Sequence, residues 1–184
     1  QKVHEALVAA HDQVMFLAKM INDLSTLSRA ERGAADETET IDLMELAGTL
    51  HSEFAPRAAE KGLRFDLDVG AQIGVITASR LYLTELLQNF IINAIKYTPH
   101  GGVTLRMHRR NGVVQFAVID TGIGIGKTDQ KKIFQRFYRA EDYRTRETSG
   151  TGIGLYVASK LAHKLGCTIS VKSRLNHGST FSFE

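Results

Sequence analysis

The stretch Val113–Asp129, VVQFAVIDTGIGIGKTD, decides how this chain is read. An apolar run ends at Asp120, glycines alternate at 122, 124 and 126, and Lys127-Thr128 follow. A phosphate-cradling loop would need G-x-x-x-x-G-K-[ST] after a strand. Gly126-Lys127-Thr128 matches the end of that pattern, but only Ile123, Gly124 and Ile125 separate Gly122 from Gly126, and Thr121 stands where the first glycine belongs. Asp120 would also sit at the mouth of the cradle and repel phosphate. The competing structure uses Asp120 itself. A carboxylate at a strand end accepts a hydrogen bond from an exocyclic amine such as that of adenine, and Gly122 and Gly124 let the backbone approach a flat base. A plain turn after a strand would not need glycines in this alternation.

Upstream, LTELLQNFIINAIKYT (Leu83–Thr98) reads as a helix that is apolar at Leu83, Leu86, Leu87, Phe90, Ile91 and Ile95. Glu85, Asn89, Asn93 and Lys96 follow one another at steps of 4, 4 and 3, one polar line on a buried helix. Asn is a poor helix former, so the pair one turn apart is not there for helix stability. Amide oxygens suit the shell of a hard cation when substrate phosphates supply the rest, and Lys96 can meet a phosphate. Downstream, SGTGIGLYVASKLA (Ser149–Ala162) runs from glycines into a helix, whose first amides suit phosphate.

The remaining elements build around these. Residues 1–32 contain no Pro or Gly and place apolar or small residues at Val3, Leu7, Ala10, Val14, Leu17, Ile21, Leu24 and Ser28, a heptad seam. Phe16, Met20 and Leu27 widen it, so the helix belongs in a bundle and needs a partner. An acidic linker, 34–41, follows Gly33. A second helix is expected from Asp42 to Lys61, kinked or divided at Pro56, with Asp42 as cap and Gly62 as stop. LRFDLDV and IGVIT read as strands. Asn111-Gly112 marks a hairpin, a short helix is expected at Asp129–Phe137, another at Ile153–Leu165, and a final hairpin turns around Asn176–Gly178. Hairpins mixed with helices predict a two-layer α/β sandwich with a mixed sheet, not a doubly wound parallel sheet.

Bulk properties exclude several classes. The 184 residues carry 23 basic and 20 acidic side chains, a net charge of +3, too small to argue for nucleic acid. Cys167 is the single cysteine, so no internal disulfide forms and a reducing, cytoplasmic setting is expected. No apolar run is long enough to span a membrane. The chain begins with Gln, and a fragment is expected.

Five segments in order now carry a resemblance: QNFIINAIKYT, DTGIGI, IFQRFYRA, GTGIGL and HGSTFSF. They resemble the Asn box, first glycine box, Phe box, second glycine box and terminal glycine/threonine segment of the catalytic ATP-binding domain of bacterial sensor histidine kinases. That domain has the Bergerat fold shared with gyrase, mismatch-repair and heat-shock chaperone ATPases. The resemblance covers about residues 42–184. INDLSTLSRAERG, ending the first helix, resembles the second helix of the dimerisation bundle that precedes such a domain.

The resemblance implies Mg²⁺ and phosphate contacts for Asn89 and Asn93, and a phosphate contact for Lys96. Tyr97 would lie against the nucleotide and Asp120 on the adenine amine, with Gly122 and Gly124 beside it. Gly150, Thr151, Gly152, Gly154 and Leu155 would line the phosphates and hinge a lid, and Thr180 would sit beside Asp120. Phe134, Phe137, Tyr138 and Arg139 would anchor the ATP lid, with Arg146 near its far end. Core packing at i, i+3 is expected of Phe134 and Phe137 as well.

Gly126 stands where the family usually has Pro, and Ser149 replaces a frequent Gly. No histidine carries the phosphoacceptor pattern in its proper place: His51 has Pro56 five residues on but Ser52 where the acid belongs, and His4 has Glu5 but no Pro. The expected function is therefore donation of the ATP γ-phosphoryl to a histidine on a helix outside this fragment. Its partners would be that helix, a second kinase protomer and a response-regulator receiver domain. A hydrolytic ATPase and a degenerate nucleotide-binding module are the alternatives. The ATPase reading is disfavoured because its usual catalytic Glu, one turn before the magnesium Asn, is Asn89 here.

Overall fold

A computed structural model describes residues 2–32, 37–140 and 150–184. Helix α1 spans Lys2–Arg32, strand β1 Glu39–Asp42, α2 Leu43–Glu60, β2 Arg64–Val69, β3 Val75–Ala78 and α3 Arg80–Tyr97. Then come β4 (Gly102–Arg110), β5 (Val113–Asp120), α4 (Lys127–Gln130), α5 (Gly154–Lys164), β6 (Ile169–Ser173) and β7 (Ser179–Phe183). The main sheet runs β2-β4-β5-β7-β6. Its β2–β4 pair is parallel and the other pairs are antiparallel, so the sheet is mixed as expected. Helices α2 and α3 cover one face, and α5 packs on α3. This is the two-layer sandwich of the Bergerat fold.

Strand alternation sets the inner face. On β5, Val114, Phe116, Val118 and Asp120 are buried while Val113 and Gln115 are exposed. Asp120 thus takes an inward position that the pattern would normally give to an apolar residue. Asn111 (φ 52) and Gly112 (φ 83) are both left-handed, as the two-residue turn joining β4 and β5 requires. Helix α3 is buried at Leu86, Leu87, Phe90 and Ile91, each 0% exposed, and Phe90 packs against Phe181 at 5.1 Å between centroids.

Three local expectations differ from the structure. The stretch read as linker contains β1, paired antiparallel with β3 from Glu39–Ala78 to Asp42–Val75. Helix α2 continues through Pro56 undivided; the carbonyl that Pro56 leaves without a helical donor belongs to Ser52, an exposed residue that water reaches. The helix expected at Asp129–Phe137 is the single turn of α4, and residues 131–137 continue as turns. Asp42 caps α2 as expected, its Oδ1 accepting from the amides of Met44 (2.9 Å) and Glu45 (3.1 Å).

Helix α1 meets the domain at its C-terminal end, where it packs on α5 with Leu27 buried and Met20 against the core. Leu7, Val14, Leu17 and Ile21 of its seam are exposed.

Candidate functional site

A cavity of about 790 Å³ lies between α3, the loop after β5 and the glycine segment before α5. At its base sits Asp120, 7% exposed. Its Oδ1 accepts from the amides of Gly122 (2.8 Å) and Ser179 (3.2 Å), while Oδ2 accepts from no described residue. Burial pushes the Asp120 carboxyl up to about 6, against the opposing pull of those two amides. One oxygen is therefore held by the backbone, and the other is not.

The loop that shapes this base is tied to β6. Ser173 Oγ accepts from the Ile125 amide (2.8 Å) and lies 2.9 Å from both the Gly178 carbonyl and Ser179 Oγ. The Gln130 amide donates to the carbonyls of Ile125 (2.8 Å) and Ser173 (3.0 Å). Lys127 and Thr128 are exposed and do not line the cavity. Lys127 and Thr128 are thus not placed as a phosphate cradle on this cavity would need.

The polar line of α3 forms the opposite wall. Asn89 is 3% exposed, and its Nδ2 donates to the Glu85 carbonyl at 2.9 Å. That turns Oδ1 toward the glycine segment, where a Cβ on Gly154 would fall 2.8 Å from it. Asn93, half-buried, also lines the cavity. Lys96 Nζ lies 4.6 Å from the Tyr97 ring centroid, and a Cβ on Gly150 would fall 2.5 Å from it. These two glycines are needed for close approach, because a side chain at either would displace a polar group that faces the cavity.

The end of α3 is itself anchored. Lys61 Nζ donates to the carbonyls of Ile95 (2.7 Å) and Lys96 (3.0 Å), Thr98 Oγ1 donates to Ala94 O (2.7 Å), and the Ile123 amide donates to Tyr97 O (3.1 Å). These bonds serve carbonyls that the helix end would otherwise orphan. They also join α3 to the loop bearing the pocket.

The structure brings Asn89, Asn93, Lys96, Tyr97, Asp120, Gly124, Gly150, Thr151, Gly152, Gly154 and Leu155 around one cavity, together with Tyr138 and Arg139. Gly122 stands behind Asp120 and does not line the cavity. Thr180 is placed differently from the expectation. Asp120 pairs with Ser179 in the β5–β7 register, so Ser179 faces the cavity and Thr180 points to the other side of the sheet. Phe134 packs on the core, edge-on to Phe181 at 6.4 Å. Phe137 does not share that packing: without a helix here the i, i+3 relation fails, and Phe137 is 59% exposed with φ 63. Arg146 lies outside the described residues.

Other residues of the site escaped sequence reasoning. Ser179 was detectable only through strand register. Asp129 lines the cavity, as do Met15, Ala18 and Asn22 of α1, one face at steps of 3 and 4. His51, by contrast, has a structural use: its ring stacks on Phe65 at 5.5 Å and its Nε2 lies 3.0 Å from the Phe65 carbonyl.

The sequence pattern of the family described as histidine kinase-, DNA gyrase B-, and HSP90-like ATPase matches residues 78–184. The chain is 35% identical over 186 residues to the circadian input-output histidine kinase CikA of Synechococcus elongatus, spanning 99% of this chain and 25% of that protein. It is 38% identical over 174 residues to the sensor histidine kinase RppB of Synechocystis, spanning 91% of this chain and 37% of that one. Full-length ShkA, solved in complex with AMPPNP, superposes on 100% of this chain with a TM-score of 0.82 at 29% identity, over 38% of its own chain. The chain thus covers well under half of each of these proteins. With Asp120, the Asn pair and the glycine segment gathered in one cavity, it belongs to the histidine kinase-, DNA gyrase B- and HSP90-like ATPase family, and is similar within it to the ATP-binding part of sensor histidine kinases.

Proposed function

We propose that the cavity binds Mg-ATP with the adenine amine donating to Asp120 Oδ2 and the phosphates lying toward Lys96, Gly150 and Gly154. The observation that carries this reading is the division of labour on Asp120 at the base of the cavity: two backbone amides occupy Oδ1, and Oδ2 accepts from no described residue. Ser179 contributes the hydroxyl beside it.

The donor set fits a magnesium ion that shares its shell with phosphate oxygens. Asn89 and Asn93 offer neutral amide oxygens on the α3 wall, and no cluster of three His, Cys, Asp or Glu side chains occurs among the described residues to hold a metal unaided. When bound, Mg²⁺ would neutralise charge on the phosphates during transfer. The protein's own part is to hold the base on Asp120 and set Lys96 against the phosphate chain.

In the whole protein the γ-phosphoryl would pass to an imidazole nitrogen of an apposed bundle helix. The P–N bond forms as the P–O bond to ADP breaks, and a receiver-domain aspartate then takes the group. The exposed seam of Leu7, Val14, Leu17 and Ile21 supports a bundle partner for α1, from this or a second protomer. No described helix is long and apolar enough to cross a membrane. An ATP site on a chain with one cysteine belongs on the cytoplasmic side of such a sensor.

Calorimetric titration tests the reading. Mg-ATP should bind wild type, and Lys127→Ala should change affinity less than about threefold, since Lys127 is off the cavity. Lys96→Ala should weaken ATP by about tenfold or more while sparing adenosine. Loss of binding in Lys127→Ala with Lys96→Ala unaffected would return the loop to a phosphate cradle and overturn the proposal.

A further inference from the structure

Helix α2 runs unbroken through Pro56, so Glu53, Arg57 and Lys61 follow one another at steps of four along one face. That face is registered against α3 at both ends. Gln88 Nε2 donates to Glu53 Oε2 (3.0 Å) and Oε1 (3.2 Å), and Lys61 Nζ donates to the carbonyls of Ile95 and Lys96. Arg57 stands midway between these two ties, level with Ile92 and Asn93. Arg57, Asn89, Ile92, Asn93 and Lys96 all line the cavity.

The Arg57 charge is not spent on a carboxylate. No ion pair engages it among the described residues. Glu53, the acid at the favourable spacing one turn earlier, is taken by Gln88. The guanidinium carbon lies 5.6 Å from the centroid of the Phe54 ring, a contact that steadies the side chain and uses none of its N–H donors on an acceptor. The acids that line the cavity, Asp120 and Asp129, belong to the strand end and to α4, and the wall formed by α2 and α3 contributes two cations and two neutral amides. Such a wall suits a chain of phosphates.

We propose that Arg57 is a further substrate-binding residue, whose guanidinium hydrogen-bonds the terminal phosphate of the nucleotide and so makes the cavity prefer a triphosphate to a diphosphate. This rests on the reading of the cavity as the ATP site. Depth assigns the two cations their order. Lys96 is half-buried and faces Gly150, whereas Arg57 is exposed and comes from the neighbouring helix. A phosphate chain that starts from a base on buried Asp120 and runs outward along α3 meets the enclosed cation first and the rim cation last. A guanidinium can engage two oxygens of that last phosphate at once.

The test is calorimetric titration of ATP, ADP and adenosine, at saturating Mg²⁺, into wild type, Arg57→Ala and Arg57→Gln. Both variants should weaken ATP by about tenfold and leave ADP and adenosine within about twofold of wild type. Arg57→Gln keeps the aliphatic stem over Phe54 and removes only the charge. Loss in Arg57→Ala with wild-type affinities in Arg57→Gln would make the residue a packing support and overturn the inference. Equal losses of ATP and ADP, or no loss of either, would also overturn it while leaving the ATP site standing. Failure of wild type itself to bind Mg-ATP would remove both.

Discussion

Ser179 and Asp120 are paired across β7 and β5, and the Ser179 amide completes the pair of hydrogen bonds that holds Asp120 Oδ1. A buried carboxylate is costly, and these two amides compensate only part of that cost. The fold keeps it at the base of the cavity, where a ligand amine can supply the remainder.

Replacing Asp120 separates stability from binding. In Asp120→Asn the side-chain amide turns a second donor toward the adenine amine, so Mg-ATP affinity should fall at least tenfold by calorimetry. The same change removes a desolvated charge, so the nucleotide-free protein at pH 7 should be more stable than wild type, by up to ~3 kcal/mol in denaturant titration. Loss of both binding and stability would contradict the assignment.

The same carboxyl predicts a pH dependence. Folded Asp120 keeps its proton to about 6, whereas an unfolded aspartate releases it near the ordinary 3.8. The folded state therefore binds more protons between those values. The contribution of Asp120 is fully present below 3.8 and is lost as pH rises through 6. Nucleotide affinity should run the other way, rising through about pH 6 as the carboxylate forms. Unfolding curves and titrations of wild type against Asp120→Asn, between pH 4 and 8, should show both trends in wild type alone.

The two adjacent hydroxyls of β7 should behave differently. Ser179→Ala removes a group that lines the cavity and lies 2.9 Å from Ser173 Oγ, and should weaken Mg-ATP about three- to tenfold. Thr180→Ala alters the opposite face of the sheet and should leave affinity within about twofold. Fluorescence titration with a labelled ATP analogue distinguishes them, and equal losses would contradict the register.

Much of this site was legible before the structure because its chemistry is local in sequence. The Asn89–Asn93–Lys96 line, Asp120 at a strand end and the glycines before α5 each declare themselves by residue type and spacing. Ser179 and Thr180 do not, since both are small hydroxyl residues and only pairing with β5 decides which one faces Asp120. Strand β1 escaped because Glu39–Asp42 is short and acidic, and its strand structure comes from pairing with β3, distant in sequence. Phe137 misled because a helical spacing was assumed where the chain instead turns through a positive φ. The contribution of α1 to the cavity was invisible for a related reason: it depends on docking between segments more than 60 residues apart.

Lys61 should matter to the fold without touching the ligand. Its ammonium serves two carbonyls at the end of α3, and burial lowers its pKa. Lys61→Met should cost about 1 kcal/mol and lower the thermal midpoint by ~2–4 °C. Differential scanning calorimetry would show it, and an unchanged midpoint would mean that water replaces the ammonium at no cost.

Met15, Ala18 and Asn22 give α1 a share in the cavity wall, and that share makes nucleotide and helix thermodynamic partners. If rotating or sliding α1 alters the free energy of nucleotide binding by some amount, occupancy of the cavity must bias the position of α1 by the same amount. A signal travelling down the helix and a nucleotide arriving from solution would thus act on one shared equilibrium, each measurable through its effect on the other.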